Sequence, residues 1–288
     1  MDILFDIATD ALMDALKLLP FLFVTYLFIE YLEHKTGDKT HHMIEKSGHF
    51  GPIIGALFGV FPQCGFSAAA SNLYAGRVIT LGTLISIYLS TSDEMLPILI
   101  SEQAPVITIV KILAVKVIVG MVAGILIDFV HRTLHENEKE PMDIHHLCEH
   151  EHCKCETKGI LYSAVHHSLE IFAYILVVNF ALNLLLTWIG EDALQTFLLN
   201  RPVIGELAAG LIGLIPNCVA SVVLTQLYLE GVLSAGRMIT GLLVSSGVGL
   251  FVLFRVNDKK KENWKILGIL YAVGVISGLL FELFGITF

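Results

Sequence analysis

The stretch Gly59-Val60-Phe61-Pro62-Gln63-Cys64-Gly65-Phe66-Ser67 returns 154 residues later as Gly213-Leu214-Ile215-Pro216-Asn217-Cys218-Val219-Ala220-Ser221. In each copy a proline follows closely on a glycine inside apolar sequence. Proline removes a backbone donor and breaks a helix, and at membrane depth such a break is tolerated only where the freed groups face protein or a wet cavity. Breaks in corresponding positions of two halves point to a binding site at the membrane midplane. Each break supplies an amide, a thiol and a hydroxyl: Gln63, Cys64 and Ser67 in the first copy, Asn217, Cys218 and Ser221 in the second. Asn72 and Gln226 follow a turn or two later. These are ligands without fixed charge, apart from a thiol that ionises against a metal. The competing explanation is that Pro62, Pro216 and their small neighbours only let helices pack closely.

The duplication extends outward from the breaks. Pairing residues 51–98 with 205–252 without a gap gives 14 identities in 48 positions, among them Gly51, Pro62, Cys64, Tyr74, Gly82, Leu89 and Ser92. The same shift pairs Gly120 with Gly274, Gly124 with Gly278 and Asp128 with Glu282. A constant register over such a span signals internal repetition. The domain reading is a first transmembrane repeat at 1–132, a connector at 133–160 and a second repeat at 161–288.

Composition sets the medium. Of 288 residues, 55% are apolar and 16% charged, and apolar runs long enough to cross a hydrocarbon core of about 30 Å recur from end to end. The expected fold is an all-α polytopic membrane protein whose first partner is the lipid bilayer. The net charge is -9, and the cations form no stripe, which excludes nucleic acid as a partner. Asp2, Asp6, Asp10 and Asp14 precede the first lysine, Lys17, the reverse of a cleavable signal.

Each half reads as a first helix (about 11–33 and 167–188), a Gly-rich broken segment, a third apolar run (about 78–100 and 232–254) and a last helix (about 106–130 and 265–284). If residues 51–76 form one span, each half crosses four times and the repeats are parallel. If they form a re-entrant hairpin or two short helices, the count is odd and the repeats are inverted. With an odd count and the N-terminus outside, 13 of the 18 Lys and Arg fall on the cytoplasmic side, leaving Lys17, Lys111, Lys116, Arg201 and Arg237 outside. The four-crossing arrangement splits them 11 to 7. The positive-inside rule therefore favours inverted repeats.

Ser90-Thr91-Ser92-Asp93-Glu94-Met95-Leu96-Pro97 interrupts the third run of the first half, where the second half has Gly247-Val248 after Ser246. Adjacent carboxylates within a span are costly unless they face a cavity, a cation or a partner. Asp93 and Glu94, flanked by Ser92 and answered by Ser246, suit a cation site or a proton relay at the repeat interface; solvation at the outer interface is the alternative. Glu30, Glu170, Asn179 and Asn183 lie on the first helices. Glu170, close to His166 and His167, is explained equally by capping and by substrate binding.

The connector carries His145, His146, Cys148, His150, His152, Cys153 and Cys155 within eleven residues. That density of imidazole and thiol suits soft or borderline metals, without the spacing of a structural zinc module. On the favoured topology it faces the reducing cytoplasm, along with His34, His41, His42 and His49. No permanently bound cofactor is expected; a metal ion would be substrate or connector ligand. Enzyme signatures are missing: there is no His-Glu-x-x-His, Gly-x-Ser-x-Gly or phosphate loop. His146 to His150 matches an inverted protease pattern by chance, in a linker without helical periodicity.

The paired Gly-x-x-Pro-x-Cys breaks, the Ser-Thr-Ser-Asp-Glu segment, the chain length and the His-rich central loop together resemble the ten-helix heavy-metal exporters of prokaryotes, labelled arsenic efflux proteins or manganese transporters. More distantly, Pro62-Gln63-Cys64-Gly65 is similar to the Pro-x-Cys motif of organoarsenical permeases, without the second thiol of that motif. The resemblance implies export of a cation or metalloid across a prokaryotic cytoplasmic membrane, with five crossings per half. The expectation is a secondary transporter for a divalent heavy metal, manganese favoured, with possible proton coupling through Asp93 or Glu94. The alternative is a channel or carrier for a neutral or organic solute, organoarsenicals included, with the connector as a separate metal sensor. The faces of Gly120 with Gly124 and Gly274 with Gly278 suit packing within the chain or in a homo-oligomer.

Overall fold

The computed structural model describes residues 50–61, 64–92, 95–134, 160–189, 202–216 and 218–288, together with short helical stretches within 8–28. No strand occurs among the described residues. Eleven longer helices follow one another: α1 (Gly51–Gly59), α2 (Cys64–Ala75), α3 (Leu81–Ser90), α4 (Met95–Ser101), α5 (Val106–Leu134), α6 (Ile160–Ile189), α7 (Pro202–Gly213), α8 (Cys218–Leu229), α9 (Ala235–Val244), α10 (Gly249–Val256) and α11 (Lys260–Leu283). From α1 to α5 and from α7 to α11 the same order recurs, four short helices and then a long one, and α2 with α8 and α3 with α9 have identical bounds once shifted by 154 residues.

The proline segments are broken as expected, each into two short helices that end at Gly59 and Gly213 and resume at Cys64 and Cys218. The third apolar runs, read from sequence as single elements, are also broken. α3 stops before Thr91 and α9 before Ser245, and α4 and α10 resume a few residues on. Gly247 has φ +55°, a left-handed conformation that glycine adopts without steric cost. The last helix of the second half begins at Lys260, earlier than the apolar pattern suggests. Asn257 Nδ2 donates to Asn263 Oδ1 at 2.5 Å, and Asn263 Nδ2 donates to the main-chain carbonyl of Asn257 at 2.9 Å, across its first turn.

Local chemistry repeats with the helices. Thr80 accepts from Thr83 N at 3.1 Å to cap α3, and Ser234 accepts from Arg237 N at 3.4 Å to cap α9. The capped ends are packed by glycines. A Cβ on Gly124 would lie 2.5 Å from Gly82 O, and one on Gly278 would lie 2.8 Å from Gly236 O, so α5 crosses α3, and α11 crosses α9, at backbone contact. A Cβ on Gly120 would lie 2.8 Å from Ser86 O, and one on Gly274 would lie 3.2 Å from Thr240 O. Both glycine faces are thus used inside the chain. Asp128 adds to the first crossing: Gly82 N donates to its Oδ1 at 2.8 Å and Thr80 Oγ1 to its Oδ2 at 2.6 Å. Asp128→Ala should cost about 1–2 kcal/mol, the worth of a lost cap with a charged acceptor. A thermal melt in detergent unchanged from wild type would contradict this.

The halves are interleaved. Within each, the first short helix packs on the third (α1 on α3, α7 on α9) and the third on the last. Between them, α3 meets α9, α2 packs on α10, and α8 packs on α4. Among the described residues, four stretches are long and apolar enough to cross a membrane: 106–133, 164–182, 235–256 and 260–283. The third of these, which contains α9 and α10, is 78% buried in protein against 28% for the others, so the broken helix lies at the centre. Around it, Val106, Ile107, Val110, Ile118 and Val122 of α5 are exposed, an apolar face that requires lipid.

One ion-pair cluster ties the halves. Arg77, at φ +58° in the turn after α2, directs Nη1 and Nη2 to Glu262 Oε1 and Oε2 of α11 at 3.1 and 2.9 Å. Tyr74 donates its hydroxyl to the same carboxylate, and the guanidinium lies 5.2 Å from the centre of the Tyr74 ring. The equivalent turn after α8 has Gly231 at φ +74°.

Candidate functional site

The break after α3 and the break after α9 meet at the interface of the halves. A pocket there is lined by Thr91, Ser92 and Met95 from the first half, by Ser221, Leu242 and Ser245 from the second, and by Lys116 of α5. Ser92 and Ser221, singled out from sequence in separate motifs, are thereby brought together. Ser246 is buried one residue beyond Ser245. The proline breaks come close as well. A Cβ on Gly59, the last residue of α1, would lie 2.8 Å from Ile87 O in the last turn of α3. A Cβ on Gly213 would lie 3.0 Å from the Cα of Gly241, the residue that repeats Ile87. In both halves the helix that leads into Gly-x-x-Pro therefore ends against the last turn of the third helix.

Both third helices end at the pocket. The Thr91 N–H reaches Ile87 O and the Ser245 N–H reaches Gly241 O, after which the carbonyls of the final turn look beyond the helix for donors; Ser90 O takes the Ser92 hydroxyl at 3.1 Å. Those ends carry the negative pole of the helix dipole. Lys116 answers one of them: its Nζ donates to Leu242 O at 2.7 Å, with the side chain 1% exposed. The charge count from sequence put Lys116 on the outer face. The structure corrects this, because the residue lies midway along α5 and points into protein, where the carbonyl end of α9 compensates its charge.

The equivalent place across the duplication is filled. Leu242 corresponds to Tyr88 and Lys116 to Leu270. Ser71 Oγ lies 2.7 Å from Ser67 O, 2.7 Å from Gly249 O and 2.8 Å from Tyr88 Oη, and Tyr88 donates to Gly249 O at 3.1 Å. α2 seats directly on α10 at this point, with Ser67 so close that a Cβ on Gly249 would lie 2.7 Å from it. One symmetry-related position is therefore plugged by a tyrosine, while the other is a small, closed, hydroxyl-lined pocket with a cation at its wall.

The remaining expected ligands divide three ways. Asn72 is fully buried and does not line the pocket: it accepts from Tyr26 Oη at 3.0 Å and donates to Ala68 O at 3.2 Å. Gln226 is exposed on α8, away from the face that carries Ser221 and Thr225, and does not line the pocket. Pro216 is half-buried in the turn between α7 and α8. Pro62, Gln63, Asp93, Glu94, Asn217, the side chains of Cys64 and Cys218, and the connector ligands His145, His146, Cys148, His150, His152, Cys153 and Cys155 lie outside the described residues, as do Glu30 and the side chain of Asn183. His166, His167 and Glu170 gather on α6 with ligand atoms all within 4.8 Å of one another.

Glu206 on α7 is a second ionisable residue that the sequence reading passed over. It is fully buried, its Oε2 accepts from the Thr240 hydroxyl, and its Oε1 has no hydrogen-bond partner. Glu206 Oε1 and Glu282 Oε2 both come within 2.9 Å of where a Gly236 Cβ would sit, so two carboxylates converge over a glycine. For Lys116 and Glu206 the available signal was an ionisable side chain inside an apolar run, which by default marks a functional position.

The comparison with known families joins this geometry to a lineage. The family described as "Putative, 10TM heavy-metal exporter" matches residues 1–200, about two thirds of the chain. The chain belongs to that family. The match covers the first repeat, the connector and the start of the second repeat, and it identifies a multi-pass membrane protein of a transport family rather than an enzyme family. No curated protein and no solved structure matches the chain.

Proposed function

We propose that the protein is a secondary transporter that exports a divalent heavy-metal cation, manganese favoured, by alternating access of its two halves. The observation that supports this most is the meeting of the two interrupted third helices, one from each half, with their carbonyl ends turned to a common pocket. Half-helix C-termini and unwound carbonyls are how membrane carriers hold cations at the midplane. Asp93 and Glu94, directly after Ser92, bring the negative charge, Ser92, Ser221 and Ser245 the hydroxyls, and Cys64 and Cys218 the thiols of the neighbouring breaks. Hard carboxylate oxygen alongside soft sulfur suits manganese and its borderline neighbours.

Lys116 gives the cycle its exchange step. With both carboxylates ionised, the ammonium leaves the vacant site one charge negative, and an arriving divalent cation competes with it. The buried Glu206 carboxylate, with the exposed Glu282 carboxylate beside it, makes a holder for the coupled proton. The positive-charge distribution supports inverted repeats with the N-terminus outside, so that the connector collects metal from the cytoplasm. Asp93→Asn with Glu94→Gln should reduce export at least a hundredfold, read as cellular manganese by elemental analysis against an empty control. Unchanged export would remove the carboxylates from the mechanism.

The hydroxyl-and-ammonium lining supports a second reading, a carrier for a neutral or organic solute such as an organoarsenical, with the connector as a metal sensor. Deleting residues 143–155 separates the two. A collecting connector predicts weaker metal export, whereas a sensor predicts intact solute flux that no longer responds to metal.

A further inference from the structure

On α6, His166 is exposed, His167 is 2% exposed and Glu170 is half-buried, and one ligand atom from each lies within 4.8 Å of the other two. Residues four apart on a helix share a face, so Glu170 reaches the imidazole of His166 one turn earlier. The three are also held from outside α6. Arg255 of α10 donates Nη2 to Glu170 Oε1 at 2.7 Å, which fixes the carboxylate and leaves Oε2 for another partner. The Tyr26 ring stacks on His167 with centroids 5.3 Å apart and sets its plane. His166 meets His167 edge-on at 6.2 Å. Three separate segments of the chain thus position two imidazoles and one carboxylate.

Two nitrogens and one carboxylate oxygen form the donor set of open zinc sites, in which water or an incoming ligand takes the fourth place. We infer that His166, His167 and Glu170 form an exchangeable site for a borderline divalent cation, and that it takes metal from the His/Cys connector, which ends a few residues before it. Exchange rather than storage follows from the surroundings: His166 is open to solvent, and the Arg255 guanidinium repels a bound cation and competes for Glu170. A polar route leads inward. Tyr26, stacked on His167, donates to Asn72 Oδ1, and the neighbouring Ser71 joins Tyr88 and the Gly249 carbonyl at the heart of the protein.

The direction of traffic rests on the transport reading above; the existence of the site does not, and it is tested in micelles where nothing is transported. The connector ligands from His145 to Cys155 and the proposed midplane ligands Cys64, Asp93, Glu94 and Cys218 are first replaced in the full chain, and Co2+ is titrated while its visible absorption is followed. One Co2+ per chain should remain, with the intensity of low-coordinate cobalt. His166→Ala with His167→Ala should abolish it, and Glu170→Gln should weaken it at least tenfold. Because His167 is buried, a variant that gains signal guards against simple misfolding: His166→Cys should add a near-ultraviolet thiolate-to-cobalt charge-transfer band. Absence of Co2+ binding in the connector-replaced chain, binding that survives loss of both histidines, or a His166→Cys spectrum without that band would each overturn the site. Manganese export can fail or persist independently of these readings.

Discussion

Lys116→Met will tighten divalent-metal binding by at least tenfold and slow export by at least tenfold, so that affinity and turnover move in opposite directions. The Lys116 side chain is almost wholly buried, and its ammonium sits on Leu242 O at 2.7 Å. Methionine approximates its length and volume, so little packing is lost. What is lost is the positive charge at the wall of the pocket. Between an ammonium and a divalent ion about 8 Å away, at an effective dielectric of about 20, the repulsion is about 4 kcal/mol. Even a third of that, about 1.4 kcal/mol, is tenfold in affinity. An ion held that much more firmly leaves more slowly, and turnover falls. Calorimetric titration of the purified chain with Mn2+ and flux into inverted vesicles read the two effects separately. Loss of Mn2+ binding would mean that Lys116 supports the ligand rather than opposing it, which fits the neutral-solute reading and not the cation one.

Gly82→Val will leave little folded protein. A Cβ on Gly82 would meet Gly124 O, and it would lie 2.5 Å from the Asp128 carboxylate carbon and 2.6 Å from its Oδ1. The first of these contacts is backbone on a long helix that cannot step aside. Overpacking of this kind costs about 1–3 kcal/mol, and displacing Asp128 from the α3 cap adds about 1–2 kcal/mol. Together these approach a large part of a typical folding free energy of about 5–15 kcal/mol. Gly268→Ala is the control. It lies on α11 with nothing within 4 Å of the added methyl, and alanine improves helix propensity by about 1 kcal/mol. Fluorescence-detected size exclusion should show loss of the monodisperse peak for the first variant only. Equal behaviour of the two would deny that the α3–α5 crossing depends on backbone contact.

Repetition made much of the architecture legible. Identities at Pro62 and Pro216 marked the first break of each half, and helices do stop at Gly59 and Gly213 and resume at Cys64 and Cys218. The second break was legible only where Asp93 and Glu94 announced it. Its partner in the second half carries Gly247-Val248, an apolar pair that periodicity reads as continuous helix, and the left-handed φ of Gly247 leaves no mark in that pattern. The pocket was legible as a set of residues rather than as a place. Ser92 and Ser221 were named from different motifs, but their meeting depends on α8 crossing to α4 in the other half, which no local pattern encodes. The decisive features lie where the copies differ, Lys116 against Leu270 and Tyr88 against Leu242, and a search for identities passes over such differences. Asn72 and Gln226 show the converse, since equivalent amides ended up in unequal surroundings.

The Arg77 clamp on Glu262 has no counterpart across the duplication: the equivalent positions are Gly231 and Thr108. A carrier whose halves are otherwise alike would idle with its two doors equally ajar. Here a two-pronged, charge-assisted contact, worth about 1.5–3 kcal/mol, latches the turn after α2 to the start of α11. On the alternating-access reading proposed above, each 1.4 kcal/mol is a tenfold bias between states, which would hold the empty protein mainly with its latched door shut. On the proposed topology that door is cytoplasmic, and the carrier rests facing outward, which guards the cell against back-leak. The arginine at φ +58°, where its twin has a glycine, is the local strain that accompanies this one-sided bolt.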